Sequence, residues 1–277
     1  MLSWNPGHRT GRGPHMKSLF AAILFLAAWL GSSLAFATCF PIASAPFPVV
    51  RASFAQISNV PTEHIRITFV GHASFMIESA DGIKVLTDYN GYLPLSSTPD
   101  IVTMNNSHES HYTDFIADGI KHVLRGWDPD GGIARHNLFL EDLRVRNVPT
   151  NLTDISGKMA NGNSMFVIES ADLCVVHISH LHHVLSKEQV GQLGRIDIAF
   201  APIDGFMTMT HSELFRVLAQ IKPKLIIPMH YGYYGAVEEF LEKAKALYPI
   251  RVHDSDSIEI SLPKVPRRTE VLLMQGQ

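Results

Sequence analysis

Three times in this chain an apolar, strand-like run ends in a histidine-bearing turn. "DIVTM" leads into Asn106-Ser107-His108-Glu109-Ser110-His111, "LCVV" leads into "HISHLHH" at His177 to His183, and "KLIIPM" leads into His230. A side chain just past a strand end is held by rigid scaffold and reaches the sheet edge. Any one of these histidines, taken alone, reads as a strand cap or a satisfied loop residue. Three such turns together point to convergence on one metal, since histidine is the commonest metal ligand among side chains.

The rest of the pattern supplies a sheet-and-helix framework. "HIRITFV" alternates Ile65, Ile67 and Phe69 against Arg66 and Thr68, the period of a half-buried strand, and "ASFMIES" continues it. Asp81-Gly82 is a hairpin signal before the strand "IKVLTD". The pentapeptide "IESAD" occurs at 77–81 and again at 168–172, each time between two apolar strands. That repetition predicts two similar β-units and two facing sheets. Further on, "RIDIAFAP" and "KLIIP" read as buried strands. Ser186 to Gln189 and Thr210 to Glu213 fit capping boxes that open helices. Val237, Phe240, Leu241 and Ala244 mark another amphipathic helix. The class is α/β, with sheets covered by helices.

The 277 residues, 46% hydrophobic and 18% charged, suit one globular domain with appended segments. Net charge is −3; residues 1–37 hold three basic side chains (Arg9, Arg12, Lys17) and no acid, so the remainder stands at −6. An acidic balance without a Lys/Arg run gives no support to nucleic-acid binding. "MKSLFAAILFLAAWLGSSLAFA" has a basic start, an apolar core from Leu19 to Leu30 and the small-residue pattern Ala35-Phe36-Ala37. It reads as a secretory signal peptide cleaved after Ala37, too short in its apolar core for a membrane span. Export to the periplasm permits a disulfide between Cys39 and Cys174. However, Cys174 sits inside an apolar run, and a free buried thiol is the expectation taken here.

The order and spacing of "FVGHASFMIE", "VLTDYN", the turn at 101–111, "VRNVPTN", "NGNSMFVIES", "HISHLHH", "IDIAFAPIDG" and "IIPMHY" resemble the metallo-β-lactamase superfamily, in particular its UlaG-like branch of metal-dependent hydrolases. The resemblance covers roughly residues 62–262 and implies a four-layer αββα sandwich with two facing mixed sheets. The expected organisation is a signal peptide with N-terminal extension at 1–37, a leader or linker at 38–61, the domain at 62–262 and a C-terminal tail at 263–277. The departures from the family pattern concern its ligands. The family's first loop is His-x-His-x-Asp-His, and here Asn106 replaces the first His and Ser110 the Asp. Asn151 stands where the next His ligand belongs, Ser179-His180 aligns with the metal-bridging Asp, and His230 keeps the last His.

The resemblance implies a ligand set of His111, His180 and His230, with His108 as a fourth candidate. Asp88 would brace His108 or His111 from behind, and His183, Asn106 and Asn151 would stand around the ligands. His177 is expected to pack or hydrogen-bond, and His72, which matches a family position near the site floor, to support structure. His182 is read as a cleft wall or a neighbour of the ligands. Asp204 and Glu109 are the carboxylates nearest to hand for proton transfer. Asn and Ser are weak ligands, so one divalent transition metal is expected, zinc first and manganese or iron next. An uncharged three-His site leaves the metal its full Lewis acidity and brings a bound water toward pKa ~7. The expected function is an exported hydrolase acting on a small ester, lactone, amide or phosphodiester. The competing readings are a non-catalytic metal- or ligand-binding module on the same fold and an iron-using redox relative.

Overall fold

A computed structural model describes residues 1–3, 39, 58–154 and 157–276. The chain divides into two units, Met1–Ala37 and Thr38–Gln277, and the second is the subject below. The expected signal peptide lies outside the described residues, apart from its first three.

Two sheets form the domain. One has six strands in the order β13 (Ser257–Ile260), β1 (Ile65–Gly71), β2 (Ser74–Glu78), β3 (Lys84–Leu86), β4 (Ile101–Met104) and β5 (His122–Arg125). The other has eight, in the order β12 (Ile250–His253), β14 (Glu270–Met274), β11 (Leu225–Met229), β10 (Ile198–Pro202), β9 (Leu173–His177), β8 (Gly157–Ser170), β7 (Leu143–Asp154) and β6 (Asn137–Leu140). The two "IESAD" segments close β2 and β8, one in each sheet. Both sheets are mixed: β3, β4 and β5 run parallel, as do β9, β10 and β11.

The alternation in β1 works as the sequence predicts. Ile65, Ile67 and Phe69 enter the layer between the sheets, while Arg66 pairs outside with Glu78 and Glu259. Across that layer Phe75 of β2 stacks on Phe200 of β10, ring centroids 3.9 Å apart. Strands β9, β10 and β11 are buried along their whole length, because both their faces are covered. The second cover is helical: α1 (Lys187–Leu193), α2 (His211–Ile221) and α3 (Ala236–Ala244) supply Leu193, Leu214, Val217 and Phe240 against Val176 and Ala199. Ser186 and Thr210 open the first two helices with complete capping boxes. The carbonyls of Gln192 and Leu193 at the end of α1 accept from the Arg146 guanidinium, itself held by Glu169. On the outer face of the six-stranded sheet, Met76, Leu86, Val102 and Met104 are covered by Tyr112, Ile116 and Trp127 from the connections beside it. The architecture is the αββα sandwich.

Two expectations are corrected. Residues 263–277 are no tail, because Glu270–Met274 is β14, inserted between β11 and β12. Its short run "EVLLM" buries Val271, Leu272 and Met274. Cys174 is not a free thiol: it is bonded to Cys39, with Cα atoms 5.8 Å apart, across 135 residues of chain. The apolar surroundings that suggested a lone thiol also bury Cys39, which is 3% exposed.

Strand direction determines where function can sit. The C-terminal ends of β4, β9, β10 and β11 lie at one edge, the edge that receives all three histidine-bearing turns. There the sheets are tied together. Asn106 bridges Asn163 of β8, and Ser164 donates its N–H to the Asn105 carbonyl.

Candidate metal centre

Three imidazoles meet at that edge: His111 past β4, His230 past β11, and His72 in the turn between β1 and β2. Their ligand atoms all lie within 4.8 Å of one another. His111 and His230 are buried and His72 is half-buried. The rings of His111 and His230 stack at 5.2 Å, and their Nε2 atoms stand 3.4 Å apart.

Each of these two rings is anchored from behind by a carboxylate with no exposed surface. Asp88 accepts from His111 Nδ1 at 3.0 and 2.8 Å, one oxygen each. Asp204 accepts from His230 Nδ1 at 3.1 Å. Asp204 is further held by the N–H groups of Phe206 and Thr208 and by the Thr208 hydroxyl, at 3.1, 2.9 and 2.6 Å. Burial alone would raise the pKa of both acids. The charge and hydrogen bond of His111 hold Asp88 below the ordinary carboxylate range. The hydrogen bonds from His230 and Thr208 do the same for Asp204. Anionic carboxylates fix the proton of each ring on Nδ1 and aim both Nε2 lone pairs into the site.

His72 reaches the centre because its turn is pinned to the other sheet. Its carbonyl accepts from the His230 N–H at 2.9 Å, and the buried His177 donates from Nε2 to the Ala73 carbonyl at 2.7 Å. Burial, then the nearby charge of His230, lowers the His72 pKa to about 4. His180 packs edge-on against His111 and His230, ring centroids 4.8 and 5.0 Å away, and its Nδ1 pairs with His182 Nε2 at 2.7 Å. Burial lowers its pKa to about 2. Both rings are therefore neutral, ligand-competent imidazoles at pH 7. His72, Asp88, Ser179 and His230 all hold positive φ, from 52° to 66°, without being glycine. Such backbone strain concentrates where a fold positions reactive groups.

The ligand set expected from sequence is thus rearranged. His111 and His230 come together with His180 beside them, but His72 joins them in place of His108. His108 is exposed, 6.0 Å from His111 between ring centroids, with Nδ1 on the Ser110 hydroxyl at 2.7 Å. Glu109 is exposed next to it. Asp204, expected as a carboxylate for proton transfer, has its oxygens engaged with His230, the following backbone and Thr208. Asp88 sits on His111, not on His108. Asn106 is buried and accepts the His108 N–H at 2.8 Å, while its Nδ2 is buried without an acceptor. Asn151 accepts from the Asn161 N–H and donates its own N–H to His183 Nε2, both at 3.2 Å.

Two residues hold places that the sequence did not give them, His72 having been expected near the site floor as structural support. His72 is one, and its signal was the "GH" turn joining two alternating strands. Asn105 is the other: it is fully buried, donates to Asp88 and lies 3.5 Å from His177 Nδ1. Nothing in its local pattern distinguishes it from a strand-end Asn.

A site built from strand-end histidines on two facing sheets agrees with what this chain is similar to. Residues 66–230 match the beta-lactamase superfamily domain. The chain belongs to the metallo-β-lactamase superfamily. It is 26% identical over 207 residues to a UPF0173 metal-dependent hydrolase of Pyrococcus furiosus, spanning 66% of this chain and 92% of that protein. A relative of the same description from Methanosarcina mazei is 26% identical over 218 residues, 68% of this chain and 94% of that one. Among solved structures, a metallo-β-lactamase superfamily protein of Thermotoga maritima superposes with a TM-score of 0.56 at 27% identity, covering 76% of this chain and 98% of that one.

Proposed function

We propose that this chain is a metal-dependent hydrolase whose ion is held by His72, His111 and His230, with His180 as the next nitrogen at hand. One observation carries the reading. The His111 and His230 Nε2 atoms face each other at 3.4 Å, with both Nδ1 atoms on buried carboxylates. Two ligand atoms on a tetrahedral metal with Zn–N near 2.0–2.1 Å lie about 3.3 Å apart. The spacing and the nitrogen donor set fit a cation. Neutral imidazoles without a carboxylate ligand favour zinc over manganese. When bound, such an ion lowers the pKa of a water toward ~7 and polarises a carbonyl or phosphoryl oxygen.

The chain's own residues have separate tasks. Asp88 and Asp204 keep His111 and His230 in the correct tautomer and orientation. His180 and His182 share one proton between Nδ1 and Nε2, and the half-buried His182 connects that proton to solvent. The substrate class proposed is a small ester, lactone, amide or phosphodiester. The relatives described as metal-dependent hydrolases support the reaction type.

The test is elemental analysis of gently purified protein. It is followed by hydrolysis of ester, lactone and phosphodiester substrates before chelation, after chelation and after zinc is restored. About one metal per chain with chelator-sensitive turnover is the expected result. Metal uptake with no turnover on any of these would favour the non-catalytic binding module.

Export is part of the same proposal, with the mature chain starting at Thr38. The basic start, apolar core and Ala35-Phe36-Ala37 pattern support it. So does the Cys39–Cys174 bond, since such bonds persist in oxidising compartments. Mass spectrometry of the native protein checks it, and residues 1–37 found intact would reject it.

A further inference from the structure

Two grooves open beside the histidine centre, and neither is used by the chemistry above. The larger, about 520 Å³, lies where the chain leaves β5, and the smaller, about 420 Å³, lies between the β7–β8 hairpin and the start of α1. Both are of ordinary ligand-pocket size. They share two residues, Ile133 and Arg135, which form the ridge between them. Their position is set by the same edge as the metal centre. Arg125 pairs in register with Met104, directly before the turn that carries His111. The Trp127 ring meets Tyr112, the neighbour of His111, at 5.3 Å. His183, three residues beyond His180, lines the smaller groove.

The larger groove has an apolar floor and two cations. Ile116, Val123, Trp127 and Ile133 provide the floor. Arg135 is exposed, and among the described residues no carboxylate pairs with it. Arg125 has one exposed partner, Asp114 at 2.9 Å, and its Nε is buried without an acceptor. Asp128 also lines the groove and keeps its charge, one oxygen accepting the Asp130 N–H at 3.0 Å within its own turn. His136 donates from Nε2 to the Arg125 carbonyl at 2.6 Å. With Arg125 paired to Asp114, Arg135 is the guanidinium on the apolar groove that is left to meet a carboxylate or phosphate.

We infer that this groove binds a small organic anion, its apolar or aromatic body against Trp127 and Ile133 and its carboxylate or phosphate on Arg135. As a statement about substrate class it rests on the hydrolytic reading, because the groove flanks the metal centre. As a statement about binding it does not, and the experiment separates the two by using metal-stripped protein.

Metal-free full-length chain is titrated with 4-phenylbutyrate and, separately, with its uncharged isostere 4-phenylbutyramide, followed by tryptophan emission. The chain has three tryptophans, and a Trp127→Phe variant identifies the signal from the groove. The carboxylate should bind roughly tenfold or more tightly than the amide, the ratio that one charge-assisted contact supports. Arg135→Glu, at an exposed position where folding is retained, should abolish or invert that preference, and Trp127→Phe should remove the emission change. Phenyl phosphate, run in the same way, distinguishes a phosphate site from a carboxylate site. Equal affinity for acid and amide would overturn the inference, as would a preference that survives Arg135→Glu or no saturable signal up to about 10 mM. Failure of hydrolysis with success here would leave the groove standing and remove only its catalytic neighbour.

Discussion

His111 and His230 come from opposite sheets, 119 residues apart in sequence, and present their Nε2 atoms to each other at 3.4 Å with both Nδ1 atoms tied to buried carboxylates. A cation between the two nitrogens would be held by both rings, and an ion that binds only the folded chain stabilises it. Zinc should therefore raise thermal stability. At free metal near 100 times Kd the gain is about 2.7 kcal/mol. For a domain of this size that is roughly 5–10 °C in Tm. Differential scanning calorimetry with chelator and with added zinc measures it, and an unchanged Tm would count against the site.

Asp88→Asn tests the bracing carboxylate directly. The amide keeps the shape but loses the charge that fixes the His111 proton on Nδ1. Changes behind a ligand typically cost about 10–100-fold in metal affinity. Chelator competition should return a loss in that range with folding intact by circular dichroism. An affinity equal to the parent's would mean that the His111 tautomer is set by something else.

The histidines should separate into graded classes. His72→Ala and His230→Ala remove a nitrogen from the cluster and should each cost more than the ~100-fold typical of supporting residues. His180→Ala should lose more affinity than His182→Ala or His183→Ala, since His182 acts on the centre only through His180, and His183 is engaged with Asn151. His108→Ala, exposed and bonded to Ser110, should change affinity by no more than a few fold. The same competition assay covers all six variants, and a His108→Ala loss larger than that of His72→Ala would reverse the assignment.

The uneven legibility of the site in the sequence has a physical cause. Strand-end histidines are visible because an apolar run announces the strand and the edge is implied, so His111, His180 and His230 could be read. The capping boxes at Ser186 and Thr210 were legible for a similar reason: they are local and need no partner. The choice of His72 over His108 is made by distant contacts. His72 is carried into the centre because its turn hydrogen-bonds to His230 and His177 on the other sheet. His108 is turned away by a side chain two residues along, Ser110. Neither interaction has a sequence signature. Asp204 was found as a carboxylate of the site, but its setting was not legible, since only the fold shows Thr208 and three backbone N–H groups closing around it. The strand at 270–274 and the Cys39–Cys174 bond were missed because each depends on a partner far away in the chain.

Acid should destabilise the metal-free protein before it reaches the carboxylate range. His72 and His180 are pushed down in the fold from an ordinary value of 6.5 to about 4 and about 2, so below pH 6.5 the unfolded chain binds protons that the native one does not. The number bound in the unfolded state exceeds that in the native state, and stability therefore falls as pH falls. The His72 contribution is exhausted near pH 4, and that of His180 continues toward pH 2. Asp88 and Asp204, held below their ordinary range, add a loss in the same direction at lower pH. Asp142 and Asp197, raised by burial, act in the opposite sense. Just below pH 6.5 the lowered histidines, the buried His177 among them, set the direction of the change. Urea midpoints with chelator present should drop as pH falls from there. His72→Gln, which cannot titrate, should flatten the drop, and an identical slope in that variant would assign the effect elsewhere.

Reduction should destabilise the domain through the denatured state. The Cys39–Cys174 bond closes a loop spanning 135 residues of separation and attaches the leader segment to β9, a strand buried along its whole length. A loop of that length restricts the unfolded chain by about 5 kcal/mol in the chain-entropy model, while removal of native bonds typically costs about 2–5 kcal/mol. The native contacts of β9 with β8 and β10 do not require the bond, so the fold should survive its loss. Cys39→Ser combined with Cys174→Ala should then lower the urea midpoint by that free energy with the m-value rising, since the unlinked denatured chain exposes more surface. Metal affinity should remain within a few fold of the parent, because neither cysteine contacts the histidine cluster and distant sites behave additively. A reducing agent should reproduce the shift in the parent and leave the double variant unchanged. If the midpoint of the parent is indifferent to reduction, the leader segment is not covalently held and the two thiols are free in solution.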